Sequence, residues 1–565
     1  MIQYIILLLP LASLGLYIYR EKRSKESIIK SAILIVLIWA CAVVVSQTSK
    51  ENLTISSVAL LVMIGGYIYA LVLGFKKPNE TSNRLTKEQK QEAFSFRANR
   101  KDLTIVNPFR GVLIVGGAGS GKSRTFMYPI IKQCAEKDYT GVLYDFKSPE
   151  LIELTERCYK ASESSVKIAK IDFKNPKNSQ RVNPIQYIES AIHSTNYTQA
   201  FIYNLLPEYI EKQDFWSRSI LSIFSGAMWY FKKNEPQMAT LPHIFAFFFT
   251  ANAQQIVKIL SSDKEIKGYI SSLAEAVEQG AEKQIAGVLG TLKNAIGIYN
   301  NPEIFWLLSK DETNLNVNNP SNPTMLLVGN NSTLADTYAP LCSLIITICS
   351  KLMNEPNKLK SAIIIDESPT IYLPNFEQIP ATARSNKVAV IVGAQDISQM
   401  NDKYGRDKTE VLISNLGNQF YGRTTNKETA ERVVKMFGQR EDTVTLQGSK
   451  RTLIGYRNES RSQSIQKRDR VKIQQMTTLN AGEFAGIMAE GKNKEFLEQI
   501  DLQKMPNKIE EIAPLSDYST NEASRNFDSI YIEIDTFLSG AKTVEEKIKH
   551  RAEKRRFGNL KGLDI

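Results

Sequence analysis

The stretch GVLIVGGAGSGKSRTFMYPII, residues 111–131, decides the fold. Its apolar run GVLIV predicts a buried strand, and the residues from Ser123 onward predict a helix. Between them lies Gly-x-x-x-x-Gly-Lys-Ser, whose glycines let successive backbone N–H groups face the phosphates of a nucleotide. Lys122 is expected to contact the β- and γ-phosphates, and the Ser123 hydroxyl to complete a Mg²⁺ shell. The predicted cofactors are ATP and Mg²⁺, and the predicted binding residues are Gly116, Gly117, Ala118, Gly119, Ser120, Gly121, Lys122, Ser123 and Arg124.

A second element, SAIIIDESPT (361–370), supplies two adjacent carboxylates after a predicted buried strand. Ligands of parallel α/β sheets bind at the carboxyl ends of the strands, where Asp366 and Glu367 would lie. Asp366 is expected to hold Mg²⁺ through its water shell, and Glu367 to orient and deprotonate the attacking water. An apolar run ending in two acids is weak evidence alone, but together with the phosphate loop it favours hydrolysis over transfer to a substrate hydroxyl.

Two further residues are candidates for sensing or stabilising the γ-phosphate. Gln395 follows another predicted buried strand in KVAVIVGAQDISQM, and it is equally compatible with capping the next helix. Arg384, in ATARSNK, either solvates a helix end or reaches the γ-phosphate of a neighbouring copy in a ring. The candidate catalytic residues are thus Lys122, Glu367, Arg384 and Gln395, and the candidate metal contacts are Ser123 and Asp366.

The two phosphate-binding elements are widely separated, since Lys122 and Asp366 lie 244 residues apart. Strands are predicted at 139–146 and 324–329, whereas about 195–310 has helical periodicity. Two apolar stripes carry that periodicity: Ile285, Val288, Leu289, Leu292 and Ile296, and then Phe215, Ile220, Ile223, Met228 and Phe231. An all-helical domain inserted into the nucleotide-binding domain is therefore expected.

Composition limits the alternatives. A chain of 565 residues exceeds one hydrophobic core, so several domains are expected. The net charge of +12 favours an anionic partner such as nucleic acid or acidic lipid, although membrane topology alone can make a protein basic. The five cysteines form no CxxC pair and the three histidines no cluster, which argues against a zinc site.

The amino-terminal region has three apolar runs, 2–19, 29–46 and 54–75, each near the length that spans a bilayer. They predict a multi-pass membrane anchor. The basic loop REKRSKES and the basic residues after Phe75 place the large carboxy-terminal part in the cytoplasm. A signal peptide is the alternative for the first run, but MIQYIILL lacks a cationic start.

The carboxy-terminal region contains two more predicted strands, at 418–423 and 481–489. Between them the segment 448–472 is rich in Arg, Lys and Ser and includes Tyr456. It is either a solvated hairpin or a contact to a nucleic-acid backbone with an aromatic ring for base stacking. The tail from about 506 is typical of partner docking or disorder rather than catalysis.

Several motifs follow one another in an order that resembles the type IV secretion coupling proteins, the TraG/TraD-like membrane ATPases of bacterial conjugation. After the amino-terminal anchor, the ordered motifs are GGAGSGKS, VLYDFKSPEL with Asp145, Lys147 and Glu150, RVNPIQYI around Asn183 and Pro184, DFWSRSI, IIIDESP, Arg384, GAQDISQM, NKETAERVVKMFGQ and LNAGEFAGIMA. No motif is specific alone, but the ordered set covers most of the chain. Members usually have two membrane spans, whereas three are predicted here.

The resemblance implies an α/β fold: a RecA-like P-loop domain with an inserted all-α domain and an amino-terminal transmembrane anchor. It also implies that the anchor lies in the bacterial inner membrane. It implies a homo-hexamer that passes relaxase-bound single-stranded DNA to type IV secretion channel proteins, and it supports Gln395 as sensor and Arg384 as arginine finger. The rival interpretations are an FtsK/HerA-like double-stranded DNA pump and a receptor for protein effectors. The predicted parts are a membrane anchor (1–77), a basic linker (78–104), the nucleotide-binding domain (105–190 and 319–503), the all-α domain (191–318) and a tail (504–565).

Overall fold

A nine-stranded sheet lies at the centre of the computed structural model, which describes residues 85–99, 102–451, 457–491, 494–504 and 517–558. The strands are β1 Phe94–Phe96, β2 Leu103–Ile105, β3 Val112–Val115, β4 Thr140–Asp145, β5 Lys167–Asp172, β6 Thr324–Gly329, β7 Ser361–Ile365, β8 Val388–Ala394, β9 Asn418–Tyr421, β10 Gln439–Arg451, β11 Arg457–Asp469, β12 Glu483–Ile487 and β13 Glu495–Gln499. In the sheet their order is β13-β12-β9-β3-β8-β7-β4-β6-β5, and β1 and β2 form a separate pair.

The central strands of the sheet are parallel, and most of their residues are apolar. From β5 across to β9 every neighbouring pair is parallel, and β12 and β13 extend the sheet antiparallel beyond β9. All residues of β3, β4, β6, β7 and β8 are buried. Continuous apolar runs of this kind are typical of parallel strands covered on both faces. The carboxyl ends of β3, β7 and β8 therefore share one edge of the sheet.

The described helices alternate with these strands or fill the stretch between β5 and β6. They are α1 Lys87–Glu92, α2 Tyr128–Glu136, α3 Glu150–Ala161, α4 Ala191–Leu205, α5 Phe215–Asn234, α6 Leu241–Thr250, α7 Ala253–Leu260, α8 Lys264–Tyr269, α9 Ser271–Glu278, α10 Glu282–Ile296, α11 Pro302–Leu308, α12 Ala335–Met353, α13 Ile379–Thr382, α14 Ile397–Tyr404, α15 Arg406–Asn415, α16 Lys427–Phe437, α17 Ile473–Thr478 and α18 Thr520–Gly558.

The stretch 191–308 is helical and contains no strand. Most of its helices begin at a side chain that accepts a hydrogen bond from a backbone N–H of the first turn, which is why the chain starts a helix there. These capping residues are Ser190, Asp214, Thr240, Asn252, Asp263 and Asn301. Inside, the rings of Phe201, Phe224 and Phe248 pack against one another in a largely aromatic core.

The carboxy-terminal helix α18 packs on this helical region. Phe527 and Tyr531 contact Phe305, and Phe537 contacts Phe231. His243 of α6 is buried, and its imidazole lies 3.1 Å from the carboxylate of Glu533 in α18. The described part of the tail is thus an ordered helix that packs on the rest of its own chain.

Strands β10 and β11 form a long two-stranded antiparallel ribbon, which we call the β-ribbon (Gln439–Asp469). Each strand has 13 residues, paired from Gln439↔Asp469 to Arg451↔Arg457, so the β-ribbon is about 40 Å long at the usual rise per residue. The described side chains at its base, 439–441 and 465–469, are all exposed. No further strand joins the β-ribbon within the described residues.

The predicted multi-pass membrane localisation is contradicted. Across the described ranges, no helix combines the length and the apolar character that crossing a bilayer requires. The longest, α18, has 39 residues but is rich in charge, and α12 is an apolar helix buried in the core. The three predicted spans, 2–19, 29–46 and 54–75, lie outside the described residues, so membrane localisation forms no part of the function proposed below.

The chain divides into two compact units, Met1–Thr86 and Lys87–Ile565, and almost all described residues belong to the second. In that unit the sheet strands flank the helical stretch, as an insertion requires. The predicted limits 105–190, 191–318, 319–503 and 504–565 stay predictions.

Candidate nucleotide-binding site

The loop after β3 is held in a tight curve by backbone hydrogen bonds. Gly117 N–H donates to the carbonyl of Arg423 (2.9 Å), and Ser120 N–H donates to Gly117 (3.0 Å). Gly121 has φ +89°, and a Cβ there would meet Leu502 Cδ2 at 2.9 Å. Only glycine suits that position, because the conformation and the space both exclude a side chain. The loop then enters a helical turn at Ser123, so its N–H groups face the space above the helix.

Lys122 lies directly against the acidic pair at the end of β7. Its Nζ donates to Glu367 Oε2 (2.9 Å) and to the backbone carbonyl of Asp366 (3.1 Å). All three residues are buried: Lys122 is 8% exposed, Glu367 6% and Asp366 7%. Two sequence elements 244 residues apart are thus in contact at one edge of the sheet.

Asp366 is buried beside this pair with its carboxylate incompletely satisfied. No described group donates a hydrogen bond to Oδ1. Burial raises the pKa of this carboxyl above its usual value, and the nearby Lys122 ammonium opposes that rise. A buried acceptor without a donor is costly in a finished structure, so Oδ1 is suited to a ligand such as hydrated Mg²⁺.

The D-x-K-x-x-E element after β4 (Asp145, Lys147 and Glu150) lies beside Asp366. Asp145 accepts backbone hydrogen bonds from Lys147, Leu151 and Ile152, and it thereby caps α3. Burial is the main cause that raises the pKa of Asp145 to about 7. Glu150 accepts the hydroxyl hydrogen bond of Tyr128. In this structure Asp145 has a positioning role, because all its hydrogen bonds hold the turn that follows β4.

Gln395 contacts Glu367, but through its backbone. The Gln395 N–H donates to Glu367 Oε1 at 2.9 Å, so both oxygens of that carboxylate are held, one by Lys122 and one by Gln395. The main chain at the end of β8 therefore orients the predicted catalytic acid. The side-chain role predicted for Gln395 stays a prediction.

Arg384 lies at the opposite edge of the sheet. It belongs to a short 3₁₀ turn, Ala383–Asn386, just before β8, whereas Gln395 follows that strand. The seven residues of β8 separate the two by about 20 Å. Arg384 is exposed, and its side chain has no ion-pair partner among the described residues. It therefore cannot reach the phosphate loop of its own chain.

Arg423 is a cation at the phosphate loop that sequence reasoning missed. It follows β9, the strand that pairs with β3, and its guanidinium donates to the carbonyl of Ala118 at 3.2 Å. A Cβ at Gly119 would lie 3.1 Å from the same group. The available signal was NQFYGR, a predicted strand ending in arginine, but the sequence did not indicate that this strand lies beside β3.

The residues present fit a magnesium nucleotide. The loop offers N–H groups and a lysine to phosphates, Ser123 and Asp366 offer oxygens to a hydrated cation, and Glu367 lies beside both. Besides Asp366 Oδ1, the buried Ser120 Oγ also has no partner among the described residues. These oxygens and the curved backbone offer the polar groups that a phosphate and its cation bind.

Comparison with known proteins identifies the family. The family described as "Type IV secretory system Conjugative DNA transfer" matches residues 73–483, which is most of the chain. The chain belongs to this family, the type IV secretion coupling proteins. We found no curated protein whose sequence matches the chain.

Solved structures of one coupling protein share the fold. The bacterial conjugative coupling protein TrwBdeltaN70 in its unbound monoclinic form has a TM-score of 0.56 at 13% identity, over 77% of this chain and 94% of that chain. TrwB with the GTP analogue GDPNP has 0.55 at 12%, over 77% and 95%. TrwB with ADP and Mg²⁺ has 0.54 at 14%, over 76% and 93%. The mixed α/β fold with its largely parallel sheet is therefore that of a coupling protein.

Proposed function

We propose that this coupling protein is an ATPase that recruits relaxase-bound single-stranded DNA and drives it into a type IV secretion channel. The observation that carries the proposal is the contact of Lys122 with Glu367 beside Asp366. Conjugative DNA transfer is the role of the family, and TrwB has been crystallised with ADP and Mg²⁺. These facts support nucleotide-driven transfer of DNA by this chain.

Each site residue has a role that follows from its position. The loop from Gly116 to Arg124 binds the phosphates, with Lys122 on the β- and γ-oxygens, and Ser123 and Asp366 hold the hydrated Mg²⁺. When bound, the cation neutralises charge that develops on the phosphates. Glu367 accepts a proton from the attacking water once Lys122 turns from the carboxylate to the nucleotide.

Arg384 completes the site of a neighbouring copy. Because it lies before β8, Arg384 does not contact the phosphate loop of its own chain. Its exposed guanidinium is available to a second subunit. In a closed ring of identical subunits each site would receive Arg384 from the next copy, where it stabilises charge in the transition state. The homo-hexamer is the assembly that we propose for this arrangement.

The β-ribbon is the element that we assign to the DNA strand. Its end carries Lys450, Arg451, Arg457 and Arg461 against one acid, Glu459. A two-stranded ribbon is marginal in water without a partner. A basic arm of this kind suits contacts to phosphates, which do not depend on sequence. The relaxase and the channel proteins would then be partners of the same complex.

The test is ATP hydrolysis by the full-length protein alone, with single-stranded DNA and with double-stranded DNA. We expect stimulation by single strands, with Glu367→Gln retaining ATP binding but losing turnover, because an amide cannot accept the proton. Glu275→Gln, the same change at an exposed helix position, should leave both unchanged. Stimulation by double strands alone would favour a double-stranded DNA pump, and insensitivity to any DNA would favour protein cargo.

A further inference from the structure

A row of side-chain hydrogen bonds crosses three neighbouring strands at the carboxyl edge of the sheet, outside the residues assigned so far. It joins Asn330, which follows β6, to Tyr144 of β4 and then to Thr370, in the 3₁₀ turn that follows β7. Strand β4 pairs with β6 on one side and with β7 on the other, so its last residues lie between the ends of both. We call Asn330, Tyr144 and Thr370 the polar relay.

The donors fix the direction of every hydrogen bond in the polar relay. Asn330 Nδ2 donates to the Tyr144 hydroxyl at 2.9 Å, and the amide orientation is set because Asn330 Oδ1 accepts the N–H of Asn331 at 2.6 Å. At the other end, the Thr370 hydroxyl donates to the backbone carbonyl of Glu367 at 2.6 Å. Since that proton is used, the Tyr144 hydroxyl donates to Thr370 Oγ1, 2.9 Å away. All three hydrogen bonds therefore point toward Glu367.

The polar relay lies largely in the core. Tyr144 is completely buried, Asn330 is 1% exposed and Thr370 is partly buried. Burial raises the pKa of the Tyr144 hydroxyl, so this group keeps its proton and can donate it in a hydrogen bond. Consecutive hydrogen bonds that point the same way strengthen one another in a medium of low dielectric constant. Removing one hydroxyl should therefore weaken the hold on Glu367 from the whole row.

Glu367 needs this support once a nucleotide is bound. In the structure its carboxylate is held by the Lys122 ammonium and by the Gln395 N–H. In the proposed function Lys122 turns to the phosphates, and of these two contacts only the one with Gln395 remains. A general base must stay within hydrogen-bond reach of the water whose proton it takes, so its backbone has to be held as well. The polar relay holds that backbone from β4, in the core of the sheet.

We propose that Tyr144 and Thr370 are positioning residues of the hydrolytic reaction, which hold Glu367 where it can take the proton of the attacking water. The inference rests on the proposed function, because it assigns supports to the acid named there. Both hydroxyls act through the main chain of Glu367, and neither belongs to the phosphate loop. Loss of either hydroxyl should therefore lower turnover and leave nucleotide binding unchanged.

The experiment is steady-state ATP hydrolysis by the full-length protein together with calorimetric titration of Mg²⁺·ATP. Tyr144→Phe and Thr370→Val each remove one hydroxyl and nearly keep the shape of the side chain. Each should lower kcat by about tenfold, because a misplaced base works poorly. The dissociation constant of Mg²⁺·ATP should stay within about twofold of the parent, since the interaction lost is one needed in the transition state.

Tyr139→Phe is the matched control. Tyr139 immediately precedes β4 at its opposite end, is also completely buried, and donates its hydroxyl to the Glu92 carbonyl at 2.8 Å. This change removes an equally buried hydrogen bond, so it should lower the temperature of thermal unfolding much as Tyr144→Phe does. It should leave kcat at the parental value.

The double variant separates a relay from two independent hydroxyls. Because Tyr144 acts through Thr370, the variant with both changes should turn over like Thr370→Val alone. Losses that multiply to about 100-fold in the double variant would show independent effects and overturn the relay.

The outcomes also separate this inference from the proposed function. Normal hydrolysis by Glu367→Gln would overturn the proposed function itself. If Glu367→Gln is inactive but Tyr144→Phe and Thr370→Val turn over like Tyr139→Phe, or lose ATP binding in proportion to turnover, the two hydroxyls do not position Glu367. Thermal unfolding identifies a variant that does not fold, and the other single variant then decides the question.

Discussion

The two edges of the nine-stranded sheet differ in the burial and pairing of their cationic side chains. At the carboxyl edge Lys122 is buried and bonded to Glu367, whereas at the amino edge Arg384 is exposed and without an ion-pair partner among the described residues. The base of the β-ribbon lies on that same amino edge. Arg470, directly after the ribbon, forms an ion pair with Glu495 of β13, and through Ile487 of β12 the strand register places Glu495 level with the start of β9. The cation of the carboxyl edge is therefore paired within the chain, whereas the amino edge presents exposed groups to a second molecule.

The two edges also differ in what a substitution there is expected to do. Burial at the carboxyl edge keeps charge–charge interactions strong, and it also makes each partner costly to remove. Exposure at the amino edge costs little in the isolated chain, since an unpaired surface guanidinium stays hydrated. Substitutions at the carboxyl edge should therefore act within one subunit, and substitutions at the amino edge only between molecules.

The largest expected effect is that of Lys122→Ala. It removes the phosphate contact and leaves the Glu367 carboxylate buried without its cation. Breaking a buried ion pair in this way lowers the free energy of unfolding by about 3–5 kcal/mol. We expect Mg²⁺·ATP binding to become undetectable by calorimetry and ATP hydrolysis to vanish. Lys264→Ala, the loss of an exposed lysine at the start of α8 in the helical stretch, is the control and should bind ATP normally. Normal hydrolysis by Lys122→Ala would remove the carboxyl edge from the mechanism.

The next effect, at the amino edge, is that of Arg384→Ala. Turnover should fall by about 10³-fold, the usual value of an arginine finger, while ATP affinity changes little because no contact to the subunit's own loop is lost. Arg406→Ala, a charge removal at the start of α15, should leave turnover unchanged. Steady-state hydrolysis together with calorimetry separates the two quantities.

Mixing Arg384→Ala and Glu367→Gln subunits tests whether Arg384 acts between subunits. Arg384→Ala subunits have an intact Glu367, and Glu367→Gln subunits have an intact Arg384, so a mixed ring contains some complete sites. Co-assembled variants should therefore recover part of the parental turnover, whereas each alone stays inactive. If mixtures stay inactive although they co-assemble, Arg384 does not act between subunits.

A smaller effect is expected from the β-ribbon. Changing Lys450, Arg451, Arg457 and Arg461 to Ser should weaken single-stranded DNA binding and lower the salt slope by up to about 3, because each phosphate contact contributes about 0.7. Basal ATP hydrolysis should not change. Fluorescence anisotropy at several salt concentrations measures the slope.

The matched control removes four exposed lysines at the β5 end of the sheet, Lys160, Lys167, Lys174 and Lys177. It changes net charge by the same amount but should leave the slope near that of the parent. Equal slopes for both variants would mean that DNA responds to the net charge of the protein and not to the β-ribbon.

The parts of the site that the sequence predicts are those with local signals. The strands β3, β7 and β8 are runs of apolar residues, so the positions of Lys122 and Asp366 at their ends followed from pattern and from the rule for parallel sheets. The contacts of Gln395 and Arg423 did not follow. One is made by a backbone N–H, which residue type does not reveal, and the other depends on β9 pairing with β3, which lies about 300 residues earlier.

The tail illustrates the same limit. Its composition indicates partner docking or disorder, although Phe527, Ile530, Ile534 and Phe537 recur at helical spacing. In the structure helix α18 of the tail packs against Phe305 and Phe231. The sequence near these two rings does not indicate a contact with a segment more than 200 residues later. The membrane spans are predicted from three apolar runs of spanning length, and the described residues contain no helix of that kind.

The smallest expected effect is a pH dependence of nucleotide binding at the carboxyl edge. Burial raises the pKa of Asp366, so its charge is lost at a higher pH than that of an exposed carboxyl, and Mg²⁺ binding must expel the proton. Lys122 and Lys147 favour the charged form, whereas Glu367 and Glu150 oppose it. The affinity for Mg²⁺·ATP should therefore fall a few-fold as the pH falls toward the raised pKa.

Two measurements check the sign. Titration in buffers with different ionisation heats should detect proton release on Mg²⁺·ATP binding, and Asp366→Asn should abolish the part of that release that depends on this carboxyl. Burial also raises the pKa of Asp145, to about 7, so Asp145→Asn is the matched variant and should leave the Asp366 contribution in place. Proton uptake instead of release would contradict the assignment of Asp366 as the metal-side carboxylate, since a group that binds a cation cannot gain a proton in the same step.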